Sequence, residues 1–157
     1  MPFWRLYYHL VWATDNREPV IDGEIERELF EAIRCKAKAL GGQVFAVNGT
    51  EDHVHLAVTI PAKVPVADFV GEVKGSSSFH INHMPEKQWR LDWQRGYGAV
   101  TFRRDNLQQV VDYIRQQKEH HRSAMLWRTL EDSGEDDTDQ VGQGQARESR
   151  EAYDVWG

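Results

Sequence analysis

From Val54 onward, Val54, Leu56, Val58 and Ile60 alternate with His53, His55, Ala57 and Thr59. A period of two predicts a half-buried strand whose apolar face looks into a core. Both imidazoles then leave the opposite face, with Cα atoms about 6.6 Å apart at the rise of a strand. Residues 3–13, aromatic and β-branched, read as an earlier strand. Ile25, Leu29, Ile33 and Leu40 recur at helical spacing after a capping Asp22, and Gly41-Gly42 ends that helix. Residues 43–49 form another strand, and Asn48 to Asp52 turn the chain into the histidine strand. Pro65 opens a helix to about Asn82, with Val66, Phe69, Val70 and Val73 along one side. Residues 89–94 and 97–103 read as two short strands around Arg95-Gly96. Asp105 caps a last helix running to about Trp127, with Gln108 in the capping-box position.

The order β-α-β-β-α-β, with an extra strand and a final helix, is the split arrangement of ferredoxin-like (RRM-like) α+β domains. Two helices would cover one face of an antiparallel sheet. The histidine face is left for the last helix or a partner.

Charge divides the chain. It has 157 residues and a net charge of −6, yet residues 131–157 hold nine acids against two bases. Residues 1–130 therefore carry 16 acids and 17 bases, close to neutral. This predicts one catalytic-size domain over 1–130 and an acidic, self-repelling tail over 131–157. The single cysteine, Cys35, favours a reducing compartment, and no apolar run reaches membrane-spanning length. The N-terminus also lacks a signal-peptide layout, so a cytoplasmic protein is expected.

The last helix adds candidate chemistry. Tyr113, Gln117 and one of His120 or His121 share a stripe, beside a packing stripe of Leu107, Val111 and Ile114. A side-chain amide oxygen is a hard donor that could complete a two-histidine cation site. A phenol, with a pKa near ~10, is a poor nucleophile at neutral pH. It becomes useful where a metal polarises the group attacked, such as a phosphodiester. Taken singly, each feature has a plain alternative: a solvent-facing His-x-His, a half-buried tyrosine, histidines favoured at a helix C-terminus. None of these alternatives predicts the others.

The His53-Val54-His55 strand, the Gly96-Tyr97-Gly98-Ala99-Val100 segment and the Tyr113-Ile114-x-x-Gln117-x-x-His120-His121 helix together resemble the single-tyrosine HUH transposases of the insertion-sequence 200/605 type, which include REP-associated relatives. Tyr8-His9-Leu10-Val11-Trp12-Ala13-Thr14, Arg17-Glu18-Pro19 and Lys74-Gly75-Ser76-Ser77-Ser78 match in the same order, so the resemblance spans about residues 3–122. It implies that His53 and His55 bind Mg²⁺ or Mn²⁺, with Gln117 as third ligand and Tyr113 as nucleophile. It further implies cleavage and rejoining of single-stranded DNA through a 5′-phosphotyrosine link, hairpin recognition at element ends, and homodimers that in some members share active sites. Lys74, Ser76, Ser77, Arg17, Arg103 and Arg104 are the candidate DNA contacts, in a bacterial, nucleoid-associated protein. One departure is Thr14-Asp15-Asn16-Arg17, where many relatives carry Lys before the residue pair preceding the first-loop Arg; an acid at Asp15 would repel phosphate. A non-catalytic single-stranded nucleic-acid binder, or a transposase-derived DNA-binding protein, is the competing expectation.

Overall fold

Strand β1 (Tyr7–Ala13) is the hub of the molecule in the computed structural model, which describes residues 3–85, 89–119 and 128–134. It pairs antiparallel with β3 (His53–Thr59) on one side and with β4 (Gly98–Phe102) on the other. Strand β2 (Val44–Gly49) pairs antiparallel with the outer edge of β3, giving the sheet order β2-β3-β1-β4. This is the ferredoxin-like order that the element sequence implied.

Alternation along the strands assigns the two faces. Leu10 and Trp12 of β1 and Val54, Leu56 and Val58 of β3 face one way and form the main core. Helices α1 (Gly23–Ala39) and α2 (Val66–Asn82) cover that face with Leu29, Ile33, Phe69 and Val73, all fully buried. Asp22 caps α1 as expected, its carboxylate accepting from the Glu24 and Ile25 N–H groups. Gly41, at φ +88°, makes the left-handed exit from α1 that a side chain would oppose.

The opposite face is covered by α3 (Leu107–Arg115). Its Val110, Val111 and Ile114 pack on Ala46 and Ala57 in a second, smaller core. Asn48 of β2 donates its amide to the Ile114 and Arg115 carbonyls, tying the end of α3 to the sheet. Those carbonyls are among the unpaired acceptors at a helix C-terminus, so the amide satisfies what the helix cannot. Asn48→Ala is expected to lower unfolding free energy by about 1–2 kcal/mol, read as a shifted urea midpoint with unchanged slope.

Four expectations need correction. The first strand begins at Tyr7, and Phe3 and Trp4 remain exposed. Residues 89–94 do not form a strand; Thr14 and Trp93 make a single isolated bridge. The aromatic content that suggested a strand serves packing: Trp93 stacks edge-on against Trp12 and donates to the Lys74 carbonyl. Asn82 instead holds Leu91 by bonds to both its backbone N–H and C=O. Third, Asp105 lies in a 3-10 turn, the N-cap position falls to Asn106, and Gln108 donates to Asp112 rather than closing a capping box. Helix α3 also ends at Arg115 with Gln116 as its C-cap, and helical geometry resumes at residues 117–119. His120 and His121 lie outside the described residues.

The fourth correction concerns the domain boundary. Arg128–Glu131 form a helical turn, and Leu130 and Ser133 are buried against the domain. Two glycines make room for this segment. A Cβ at Gly98 would stand 1.8 Å from the Asp132 carbonyl oxygen, and one at Gly96 (φ +84°) 2.2 Å from that of Gly134. Residues 131–134 therefore belong to the folded unit, although composition grouped them with the acidic tail; residues 135–157 lie outside the described residues. Among the described residues, no helix is long and apolar enough to cross a membrane.

Candidate active site

The register places the histidines. His53 lies opposite Ala13, His55 opposite Val11, and His9 opposite Ala57, all on the face beneath α3. His53 and His55 are almost wholly buried. Each has its Nδ1 engaged: His53 with the Asp52 carboxylate at 2.7 Å and the Thr50 hydroxyl at 2.9 Å, His55 with His9 Nε2 at 2.8 Å. With Nδ1 held, both rings turn Nε2 toward one point.

Glu131 occupies that point. Its Oε2 lies 3.2 Å from His53 Nε2 and 3.1 Å from His55 Nε2, and its Oε1 accepts a 2.6 Å bond from the Tyr113 hydroxyl. Tyr113 projects from α3, with its ring centroid 6.1 Å from that of His55. One chain thus brings together His53, His55 and Tyr113, as the sequence expected, and adds a carboxylate that it did not.

The electrostatics follow from this packing. Burial alone would push the His53 imidazole down, but its bonds to Asp52 and Glu131 outweigh burial and raise it to about 9. Burial would likewise raise Glu131, yet bonds from His53, His55 and Tyr113 hold it far below the usual carboxylate range. The hydrogen bond from His53 lowers Asp52. His9, fully buried and beside His55, is held well below the usual imidazole value.

The donor set suits a divalent cation. Nε2 of His53, Nε2 of His55 and a Glu131 oxygen lie within 4.8 Å of one another. Neighbouring ligands of an octahedral cation with ~2.1 Å bonds are about 3.0 Å apart, close to the two nitrogen–oxygen separations observed. Gln117 is fully buried, and its amide oxygen and nitrogen have no hydrogen-bond partner among the described residues. A buried amide in that condition calls for a partner that the described residues do not supply. Glu131 escaped the sequence reading because it opens a run of charge; its one signal is Leu130, a large apolar residue immediately before the acid.

The six candidate DNA contacts scatter. Arg17, in the left-handed region at φ +53°, lies 3.9 Å from Asp52 and donates to the Ser133 hydroxyl, so it adjoins the site. Lys74 donates to the Gln94 and Gly96 carbonyls at 2.7 and 2.9 Å, and burial holds its ammonium below the usual lysine value. Its position fixes the loop ahead of β4. Ser77 is a correction: it is fully buried, donating to the Lys74 carbonyl and accepting from the Trp93 indole. Ser76 is half-buried and lines a cleft with Glu28, Glu31 and His80 in the helix layer, across the sheet from the histidines. Arg103 and Arg104 are exposed, Arg103 pairing with Asp105. Replacing Lys74 with Met should therefore cost stability, about 1–3 kcal/mol for two orphaned carbonyls, visible as a lower thermal midpoint without DNA.

The ferredoxin-like sheet thus carries paired histidines beneath the helix of Tyr113, and sequence comparison supplies the class, a DNA-processing enzyme. The model of the family "Transposase IS200 like" matches residues 2–117, so the chain belongs to the IS200-like transposases. It is 29% identical over 119 residues to the ISDra2 transposase TnpA of Deinococcus radiodurans, covering 73% of this chain and 85% of that protein. It is also 29% identical over 121 residues to the IS200 transposase of Salmonella typhimurium, covering 74% and 79%. Among solved structures, a Deinococcus radiodurans protein described as a transposase superposes with a TM-score of 0.56 at 29% identity, over 74% of this chain and 93% of that one. A REP-associated tyrosine transposase bound to a REP hairpin shares the fold, with a TM-score of 0.57 at 16% identity over 80% and 76%.

Proposed function

We propose that this transposase cuts and rejoins single-stranded DNA through a covalent tyrosine link, with Mg²⁺ or Mn²⁺ held at His53 and His55. The observation that carries the proposal is convergence: the Tyr113 hydroxyl and both imidazole Nε2 atoms meet on one carboxylate within one chain. Gln117 completes the ligand set in this reading, and Glu131 stands at ligand distance from the same point. When bound, the cation neutralises charge on the phosphate and so lowers the barrier to attack.

The chain's own residues supply the rest. Tyr113 is the nucleophile: its oxygen bonds to phosphorus, the bond to the 3′-oxygen breaks, and that oxygen leaves carrying a proton. The phenolic proton has an acceptor in place at Glu131 Oε1. The product is a 5′-phosphotyrosine whose ester energy is available for rejoining, so no nucleotide cofactor is required.

Hairpin-bearing single-stranded DNA is the proposed substrate, supported by the REP hairpin held by the structural relative. A homodimer is part of the proposal, although the proposed nucleophile and both histidines meet within one chain. Light scattering at micromolar concentration tests it, and a monomeric mass would remove the dimer.

The central experiment incubates the full chain with a single-stranded oligonucleotide carrying hairpin ends and Mg²⁺ or Mn²⁺. A denaturant-resistant protein–DNA adduct on a gel is the expected result. Hairpin binding without any adduct would make the protein a non-catalytic, transposase-derived DNA binder.

A further inference from the structure

We infer that His9 is a positioning residue for metal binding, holding the His55 ring so that its Nε2 faces the site. The inference rests on the metal-binding reading above and goes beyond it, since His9 does not itself reach the meeting point of the ligands.

The register explains how His9 reaches its partner. On β1 it lies opposite Ala57, one diagonal step from His55, and the small Ala57 side chain leaves the diagonal open. Diagonal neighbours on a sheet face lie ~7–8 Å apart at Cα, within reach of two imidazoles. The rings meet at 2.8 Å, Nε2 of His9 to Nδ1 of His55, with centroids 5.0 Å apart.

Packing alone does not account for a histidine here. His9 is completely buried in the central strand, and its Nδ1 has no partner among the described residues. Burying a polar ring with half its capacity unmet is costly, and Leu or Phe would fill such a position at less expense. The partner gained is the Nδ1 of a ligand residue.

The two site histidines are supported differently. Asp52, when ionised, can only accept, so it fixes His53 with a proton on Nδ1. A neutral imidazole can donate or accept. With His9 Nε2–H donating, His55 carries its proton on Nε2 and points it at Glu131. With His55 Nδ1–H donating instead, its Nε2 presents a lone pair to a cation. The same 2.8 Å contact serves both arrangements, so the ring need not turn when its partner changes from carboxylate to metal. Support of this kind behind a ligand histidine is worth ~10–100-fold in metal affinity.

The test measures Mn²⁺ binding to the full chain, without DNA, by the electron paramagnetic resonance signal of free Mn²⁺. His9→Leu is expected to weaken binding ~10–100-fold, while His9→Gln, which can still donate or accept, stays within a few-fold of wild type. Thermal midpoint and metal-free hairpin affinity should change little in either variant. Unchanged Mn²⁺ affinity in His9→Leu would overturn the inference, as would equal loss in both variants with the fold intact. Wild-type protein that binds no Mn²⁺ would sink the metal reading and this inference together. Should His9→Leu fail to fold, ¹⁵N resonance of the Mg²⁺-loaded wild type decides: a coupling across the His9–His55 hydrogen bond is expected, and its absence overturns the role.

Discussion

Tyr113→Phe is expected to abolish the covalent protein–DNA adduct, by at least ~10³-fold, while leaving hairpin binding unchanged. The substitution removes one oxygen and keeps a ring of the same shape in a position only 3% exposed. Tyr8 packs against the core on the opposite face, and Tyr7 stacks on Phe45 and Phe102. An oxygen nucleophile is therefore lost rather than weakened. The fold should suffer little, since one hydrogen bond to Glu131 is worth about 1 kcal/mol and that carboxylate retains both imidazoles. The comparison is a denaturing gel of mutant and wild type under identical metal and oligonucleotide concentrations. An adduct of equal yield in the mutant would eliminate Tyr113 as the attacking group.

The second large effect belongs to the paired imidazoles. The double variant His53→Ala/His55→Ala should lose cleavage by at least about a hundredfold, since removing ligands costs more than removing their supports. It should still shift a hairpin oligonucleotide on a native gel. Hairpin contacts are expected apart from the buried rings, which would meet the scissile phosphate only through the cation they hold. Chelation of divalent metal from wild type should reproduce the loss and be reversed by adding Mn²⁺, whereas the variant should not respond. If the variant loses hairpin affinity with its thermal transition intact, the histidines contact DNA and the metal assignment fails.

The strand carrying those histidines was plain from alternation alone, because only one face of β3 is apolar enough to enter the main core. The ferredoxin-like arrangement and two helices over one sheet face followed from the element order, although the extra strand did not form. Other features were hidden for identifiable reasons. Trp89 and Trp93 gave residues 89–94 the composition of a strand, but Asn82 and Lys74 satisfy that segment's backbone through side chains, which no periodicity records. The interruption of the last helix at Gln116 is likewise silent in the sequence. The carbonyls it leaves unpaired are met by Asn48, 66 positions before Ile114. Among the polar candidates, Ser77 had the right chemistry for phosphate but the wrong side of its helix. Glu131 is the instructive case: an acid within an acidic run looks solvated, and only the burial of Leu130 beside it turns it inward.

The absence of a side chain at residue 98 gives this architecture a chemical handle. A single methyl group there would occupy the space of the Asp132 carbonyl, so Gly98→Ala and a seated return segment cannot coexist without backbone displacement. The same methyl would stand 2.8 Å from Val11 Cγ1, so β1 shares the strain with the return segment. One carbon atom, set in the cross-strand row that runs through Val11 to His55, is thereby expected to part the acid from the imidazoles.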